Sequence, residues 1–516
     1  MKSHLEIILL STILLINVQL SSSNERKFPK NFVFGSSSSA YQIEGGWNED
    51  GRGLSIWDVY THENPNRIAD RSNGDIAADS YHKFDEDLKA IKELGLEYYR
   101  FSISWPRVMP FGNNSLINEK GIEYYNSIIN KLLNANVTPM ITMYHFDLPE
   151  ELNKIEGFLN PSIIEYFKNY SDLLFDKFGD RVKHWVTFNE AFFVCRHGYG
   201  TAEFPPTISD SGISDYKCID NLLKSHAVTY KLYKEKYFKK YDSNGKVGIA
   251  LNARFFFSET NDTELVNRGL EFELGILAQP IFGQNGGYPE IVLKTIAEND
   301  KKEGLEFPRL KQFDSTWLNL IKGSADFLGF QYYSSRMILP ISSELTGISF
   351  EKDANYNITG NPKWKPGITS QWYSVPEGLE LILKWISKKY GDIEIMITEN
   401  GWADKGELED DSRVEFLRDH MESILNAIES GVRVTGYLPW SLIDNFEWNA
   451  GYTQKFGLYG VDFSDPNRKR TQKKSARYFK EVIKTRKLIN QGSTKNISFT
   501  FILTVLIIIL GIMATR

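Results

Sequence analysis

The sequence of 516 residues predicts an α/β protein, a single (β/α)8 TIM barrel with long βα loops. Eight short strand-like runs alternate with long amphipathic segments, and no linker rich in proline or serine interrupts the alternation. The barrel is expected to occupy residues 28–488. Its predicted strands are Phe32–Gln42, Tyr98–Trp105, Thr138–Phe146, His184–Glu190, Lys246–Asn252, Phe327–Tyr333, Ile393–Asn400 and Val434–Leu442.

Two of the intervening segments carry clear helix signals. Between Ile163 and Phe178 apolar residues recur at helical spacing, and Asn160 is predicted to cap this helix. In the second segment, Ser412 and Glu415 predict a capping box, because they stand three residues apart ahead of an apolar stripe. Such helices would form the outer layer of the barrel.

The ends of the predicted strands carry the functional signal. Two apolar runs end in threonine, asparagine and glutamate, at Glu190 and at Glu399. A carboxylate at the end of a buried strand is costly unless it is paired, hydrogen-bonded or used in catalysis. The carboxyl ends of barrel strands line the active site, so we expect Glu190 and Glu399 to share one pocket and cleave a glycosidic bond. For Glu190 alone a structural ion pair is the better interpretation, but two glutamates at matching strand ends, each beside an asparagine, argue against it.

Composition excludes some functions. The net charge of −6 and a pI near 5.9 give no basic surface for nucleic acid. No cluster of histidine and acidic residues has the spacing of metal ligands, so we expect neither a metal nor another cofactor. The sequence does not determine the oligomeric state.

The amino-terminal residues 1–22 predict a secretory signal peptide, with Lys2 ahead of the apolar run Ile7–Ile16. Glycosylation is expected at Asn113, Asn169, Asn261 and Asn357, whereas the sequon at Asn136 is set aside because it adjoins a predicted buried strand. Export also favours a disulfide between the two cysteines, Cys195 and Cys218; two free buried thiols are the alternative.

The carboxyl terminus ends in an apolar run over residues 497–514. Two interpretations remain open: a membrane-spanning helix, or a signal that is removed when a GPI-type lipid anchor is attached. Only Arg516 offers a positive flank, which favours the lipid anchor. Both place the protein on the extracellular face of a membrane after passage through the secretory pathway; a freely secreted protein is the alternative.

Several motifs resemble those of glycoside hydrolase family 1, in particular its animal β-glucosidases. They occur in order between Phe28 and Lys487. The motifs are Phe34-Gly35 with Ala40-Tyr41-Gln42, Tyr99-Arg100, Asp147-Leu148-Pro149, Phe188-Asn189-Glu190, Thr398-Glu399-Asn400-Gly401 and the segment Trp440–Trp448.

The resemblance implies a retaining mechanism on small β-glycosides, with Glu190 as acid/base and Glu399 as nucleophile. Arg100 and Tyr333 match the positions that orient the nucleophile, and Asn189 matches the residue that binds the sugar 2-hydroxyl. The other sugar-binding positions correspond to Gln42, His145, Tyr333, Trp440, Glu447, Trp448 and Phe456. The negative charge of Glu447 is expected to repel phosphorylated sugars.

Three residues depart from the family pattern: Phe146, Ala191 and Gln331 stand where tryptophan, proline and asparagine are usual. Two other functions remain open. One is a thioglucosidase, since thioglucosides can dispense with the acid. The other is a catalytically inactive co-receptor resembling the klotho-type relatives, which the apolar carboxyl-terminal run suggests. The resemblance favours an active β-glucosidase because both glutamates are present.

Overall fold

The computed structural model describes residues 26–241, 243–341, 345–369 and 371–489. Eight parallel strands close into a barrel, with β1 paired to β8 through Val33–Gly436 and Phe34–Tyr437. The strands are β1 Val33–Ser37, β2 Tyr98–Ser102, β3 Thr138–Tyr144, β4 His184–Asn189, β5 Lys246–Asn252, β6 Phe327–Gln331, β7 Ile395–Glu399 and β8 Val434–Tyr437. The predicted single barrel is confirmed.

An outer layer of helices covers the strands. Its main members are α1 Ser80–Leu94, α2 Glu119–Asn134, α3 Ile163–Phe178, α4 Ser214–Leu232, α5 Ser315–Ile321, α6 Pro376–Tyr390, α7 Asp411–Glu429 and α8 Lys474–Thr485. Their apolar faces pack on the outside of the barrel; for example, the ring of Trp105 stacks on Tyr170 of α3 with 4.5 Å between centroids.

The predicted strands are present, but most are shorter than predicted. The chain after β1 turns into a short helix, Ala40–Ile43, and the chain after β2 turns into another, Trp105–Val108. Both short helices are buried, and three of the four residues in each are apolar although the strand has ended. Hydrophobicity therefore marks burial here and does not mark where a strand stops.

Both predicted helix caps are wrong in detail. Helix α3 has the predicted bounds, but Asn160 Oδ1 accepts from the backbone N–H of Ser162, before the helix begins. Helix α7 begins at Asp411, which puts Ser412 inside the first turn. The Glu415 carboxylate accepts from Lys365 Nζ at 2.5 Å and caps nothing.

A disulfide joins Cys195, in the short helix Ala191–Tyr199, to Cys218 of α4, with 5.4 Å between the Cα atoms. Among the sequon asparagines, Asn261 and Asn357 are exposed while Asn113 and Asn169 are half-buried. Asn136 is also exposed, because it occupies the turn ahead of β3 and not the strand itself.

The predicted signal peptide and carboxyl-terminal apolar run lie outside the described residues. None of the helices that the structure does describe is long and apolar enough to cross a membrane.

Candidate active site

A cavity of about 310 Å³ opens at the carboxyl ends of the strands. Its volume is at the lower end of the range for small-molecule sites. Both predicted catalytic glutamates line it, and both are largely buried: Glu190 is 8% exposed and Glu399 is 3% exposed. Six further predicted residues line the same cavity: His145, Tyr333, Trp440, Glu447, Trp448 and Phe456.

Irregular backbone aims these side chains inward. The pairing register shifts in β4 ahead of Asn189 and in β7 ahead of Glu399, so each of these strands bulges immediately before its functional end. Glu190 itself has φ of +44°, and Phe146 and Trp448 also adopt positive φ values, +71° and +53°. Such backbone costs about 1–3 kcal/mol per residue and concentrates at functional sites. All three of these residues with positive φ line the same cavity.

The carboxylate of Glu399 is held by two donors. Arg100 Nη1 donates to Oε1 at 2.6 Å, and the Tyr333 hydroxyl donates to Oε2 at 2.7 Å. Arg100 lies in the middle of β2 and reaches the site from within the barrel. Its Nε donates to Thr142 Oγ1 at 2.9 Å, and its Nη2 donates to Asn189 Oδ1. The buried guanidinium of Arg100 thus links Glu399, the candidate nucleophile, to Asn189, which precedes the candidate acid Glu190 in the chain.

Glu190 has different surroundings. Among the described residues, no side chain or backbone group hydrogen-bonds to its carboxylate. Burial, and then the charge of Glu399, raise the pKa of Glu190 well above its usual range. Burial also raises the pKa of Glu399, but there Arg100, Tyr333 and Gln331 oppose the rise. Glu399 therefore ionises first and Glu190 keeps the proton.

Three predicted residues lie behind the cavity wall and support it. Arg100, Asn189 and Gln42 are fully buried. Gln42 lies on the short helix Ala40–Ile43 and not on a strand, and its Nε2 donates to Asn445 Oδ1 and to the backbone oxygen of Phe446, both at 2.8 Å.

Glu447 stands beside the aromatic part of the cavity. Its Oε1 accepts from Trp440 Nε1 at 3.0 Å, and its Oε2 lies 3.4 Å from Gln42 Nε2. Burial, partly opposed by the hydrogen bond from Trp440, raises the pKa of Glu447 to about 8. Burial in the site thus disfavours the ionised form of this carboxyl, and the expectation that Glu447 repels phosphorylated sugars stays a prediction.

The departures from the family pattern are accommodated. Phe146 packs its ring against Trp448 with 4.9 Å between centroids, and Ala191 is buried at the start of a short helix. Gln331 Nε2 donates to Asn189 Oδ1 at 2.6 Å, a contact that sequence reasoning missed.

Residues in the segments between the barrel strands, none of them singled out individually from the sequence, complete the cavity wall. Some closely follow a strand end, whereas Phe204, Trp372 and Gln454 lie far along the segment that follows, so nothing in the local sequence marks them. They include Phe193, Phe204, Arg254, Arg336, Trp372 and Gln454.

The chain is similar to several known proteins. The model for "Glycosyl hydrolase family 1" matches residues 24–488. "Myrosinase 1" of Brevicoryne brassicae is 43% identical over 89% of this chain and 99% of its own length, and "Beta-glucosidase 12" of Oryza sativa subsp. japonica is 41% identical over 89% and 93%.

Among solved structures, "Aphid myrosinase" aligns with a TM-score of 0.85 and 42% identity, covering 89% of this chain and all of its own. The family match spans the barrel and all of the candidate site. The chain belongs to glycosyl hydrolase family 1.

Proposed function

We propose that this protein is a retaining β-glycosidase that hydrolyses terminal β-D-glucosides. The observation that carries the proposal is the unequal environment of the two glutamates in one cavity. The Glu399 carboxylate accepts from the guanidinium of Arg100 and the hydroxyl of Tyr333. The Glu190 carboxyl, in contrast, is buried without a hydrogen-bonding partner among the described residues. Retention requires this combination of one ionised and one protonated carboxyl.

In the first step, the Glu399 carboxylate attacks the anomeric carbon as the glycosidic C–O bond breaks. Glu190 gives its proton to the leaving oxygen, so an ester to Glu399 and a Glu190 carboxylate result. In the second step, water attacks the anomeric carbon, Glu190 takes a proton from it, and the ester bond to Glu399 breaks. Each glutamate thereby returns to its starting state.

The charge change at Glu399 also switches the role of Glu190. While Glu399 is ionised, its charge raises the pKa of Glu190. The ester is neutral, so that contribution disappears in the intermediate, and Glu190 becomes ionised and ready to act as a base.

A rescue experiment tests the assignment of roles. Glu190→Ala and Glu399→Ala would each be given an activated aryl β-glucoside and azide. In the Glu190→Ala variant azide attacks the covalent intermediate, so the β-azide should form. In the Glu399→Ala variant azide replaces the nucleophile and should give the α-azide. Any other pairing of variant and product contradicts the assignment.

A thioglucosidase is the second candidate, because the two myrosinases are similar over nearly the whole chain. A thiolate leaving group needs less help from an acid than an alkoxide does. A matched pair of aryl O- and S-glucosides with wild type and Glu190→Gln separates the two functions. An O-glucosidase should prefer the O-glucoside in the wild type and lose about 10²–10⁴-fold in the variant. A thioglucosidase should prefer the S-glucoside and lose little in the first step.

A catalytically inactive co-receptor is the third candidate. The presence of both carboxyls, in the environments that the reaction needs, argues against it. Turnover of an aryl β-glucoside that is abolished by either alanine substitution would exclude it.

We also propose that the protein is exported, glycosylated and tethered to the outer face of a membrane. The apolar residues 497–514 and the exposed sequons at Asn261 and Asn357 support this. Release from cell membranes by a phospholipase specific for GPI anchors would establish a lipid anchor. Retention after that treatment, with extraction only by detergent, would indicate a membrane-spanning helix, and recovery in the medium would indicate secretion.

A further inference from the structure

Gln331 occupies a central place between the functional strands. It is the last residue of β6, where its partners across the sheet are Asn252 of β5 and Glu399 of β7. The bulge in β7 skips Thr398, so that Glu399 stands opposite Gln331. Gln331 is fully buried and lines the cavity. Its amide therefore lies beside the reacting groups.

The orientation of this amide follows from one residue that can only donate. Arg100 has no acceptor atom, so the atom of Asn189 that receives its Nη2 is the side-chain oxygen. Gln331 contacts the same oxygen at 2.6 Å, which requires its amide nitrogen there. The nitrogen of Asn189 then faces His145 Nε2 at 3.1 Å. Burial, and next the charge of Arg100, hold the pKa of His145 well below 6.5, so this ring is neutral, accepts at Nε2 and carries its proton on Nδ1.

The two ends of the Gln331 amide are used unequally. The nitrogen donates to Asn189 Oδ1, and Glu399 stands opposite Gln331 across the sheet, where the Gln331 side chain partly opposes the burial that raises the pKa of Glu399. Within the described part of the chain, Oε1 is buried without a hydrogen-bond partner. The nitrogen is therefore the atom through which Gln331 acts on its neighbours within the described structure.

We propose that Gln331 is a positioning residue for glycoside cleavage. It fixes the Asn189 amide with the oxygen on Arg100 and the nitrogen on His145, which leaves the second hydrogen of that nitrogen for the sugar 2-hydroxyl. It also places a third donor beside the Glu399 carboxylate, after Arg100 and Tyr333. The inference rests on the proposed function, and it adds a residue that departs from the family pattern. The longer glutamine side chain brings the amide within hydrogen-bonding distance of Asn189.

The test compares an aryl β-glucoside with its 2-deoxy analogue bearing the same leaving group. Gln331→Met keeps the side-chain length and removes the donor. We expect kcat/KM for the glucoside to fall about tenfold, which corresponds to roughly 1.4 kcal/mol. For the 2-deoxy analogue the loss should be about threefold, because the hydroxyl that Asn189 binds is missing. Equal losses on the two substrates would overturn the role assigned through Asn189.

The pH dependence of kcat/KM gives a second readout that a purely structural role would not move. Glu399 loses a donor in Gln331→Met, so the acidic limb of the profile should move to higher pH; an unmoved limb would overturn the support assigned to Glu399. Gln331→Leu, which also lacks the donor and has a similar volume, should reproduce the substrate pattern if the methionine variant folds poorly.

Gln454→Met is the matched control. Gln454 also lines the cavity, and its Oε1 accepts from Thr369 Oγ1 at 2.8 Å. Its replacement should affect both substrates equally, and a loss that depends on the 2-hydroxyl there would contradict the special role of Gln331. If the wild type turns over neither substrate, the proposed function itself fails. If the wild type is active and the variants lack the pattern, only the role of Gln331 fails.

Discussion

Replacing Glu447 by glutamine should make the free energy of unfolding less sensitive to a rise in pH from acidic to neutral values. Burial raises the pKa of Glu447 from 4.5 to about 8 in the folded protein. Between these two values the folded state binds a proton that the unfolded chain has lost. The free energy of unfolding therefore falls as pH rises through this window, by at most about 1.4 kcal/mol per pH unit for this group. Glutamine carries no such proton.

From pH 5.5 to 7.5 the limit for one group is about 2.7 kcal/mol. Glu447 is half-buried and faces the cavity, so solvent screens part of this effect, and we expect about 1.5 kcal/mol. The variant also alters contacts with Trp440 and Gln42. That alteration contributes equally at both pH values, because neither contact involves another titrating group.

The measurement is urea unfolding of wild type and Glu447→Gln at pH 5.5 and pH 7.5. The variant should gain about 1.5 kcal/mol relative to wild type between the lower and the higher pH. Glu264→Gln, an exposed substitution on an outer helix, serves as the control and should show no such gain. If the difference between Glu447→Gln and wild type is the same at both pH values, the assignment of a raised pKa to Glu447 is refuted.

Three other predictions follow from the structure. Arg100→Lys should reduce kcat/KM about 10³-fold and lower the urea midpoint, because an ammonium cannot serve Glu399 and Asn189 at once; an effect under tenfold would contradict this. Removing the disulfide in Cys195→Ser/Cys218→Ser, which frees a loop with a separation of 23 residues, should cost about 3 kcal/mol in urea unfolding and leave kcat at 25 °C unchanged. Burial lowers the pKa of His420 to about 3. Below pH 6.5 the unfolded chain therefore gains a proton at His420 that the folded protein does not bind, so the free energy of unfolding should fall. His420→Gln should remove about 2 kcal/mol of that fall between pH 6.5 and 5, as measured by urea unfolding.

The barrel and its two glutamates could be predicted because each depends on local sequence. A run such as Ile395–Ile397 is apolar on both faces, with two β-branched isoleucines on one face and Met396 on the other, which suits a strand covered on both sides. The polar residues that end such a run mark the catalytic edge of the barrel, since every parallel strand presents its carboxyl end there. Glu190 and Glu399 follow from this pattern without knowledge of their neighbours.

The strand ends, the helix caps and the hydrogen-bonding network could not be predicted in this way. The segment around Gln42 is buried and continues directly from a strand, and only the fold shows that Ala40–Ile43 is a helix. Arg100 acts from the middle of a strand because the barrel interior brings it to Glu399, which is 299 positions away in the chain.

The sequence by itself determined the barrel, the family and the two carboxyls, because strand periodicity and strand-end chemistry are written in neighbouring residues. The tertiary structure alone decided which carboxyl keeps its proton, which way the Asn189 and Gln331 amides point, and that the pKa of Glu447 is raised. The physical reason is that a pKa and an amide orientation depend on all charges, donors and buried surface within a few ångströms. Those neighbours come from strands far apart in the chain and are brought together only when the barrel closes.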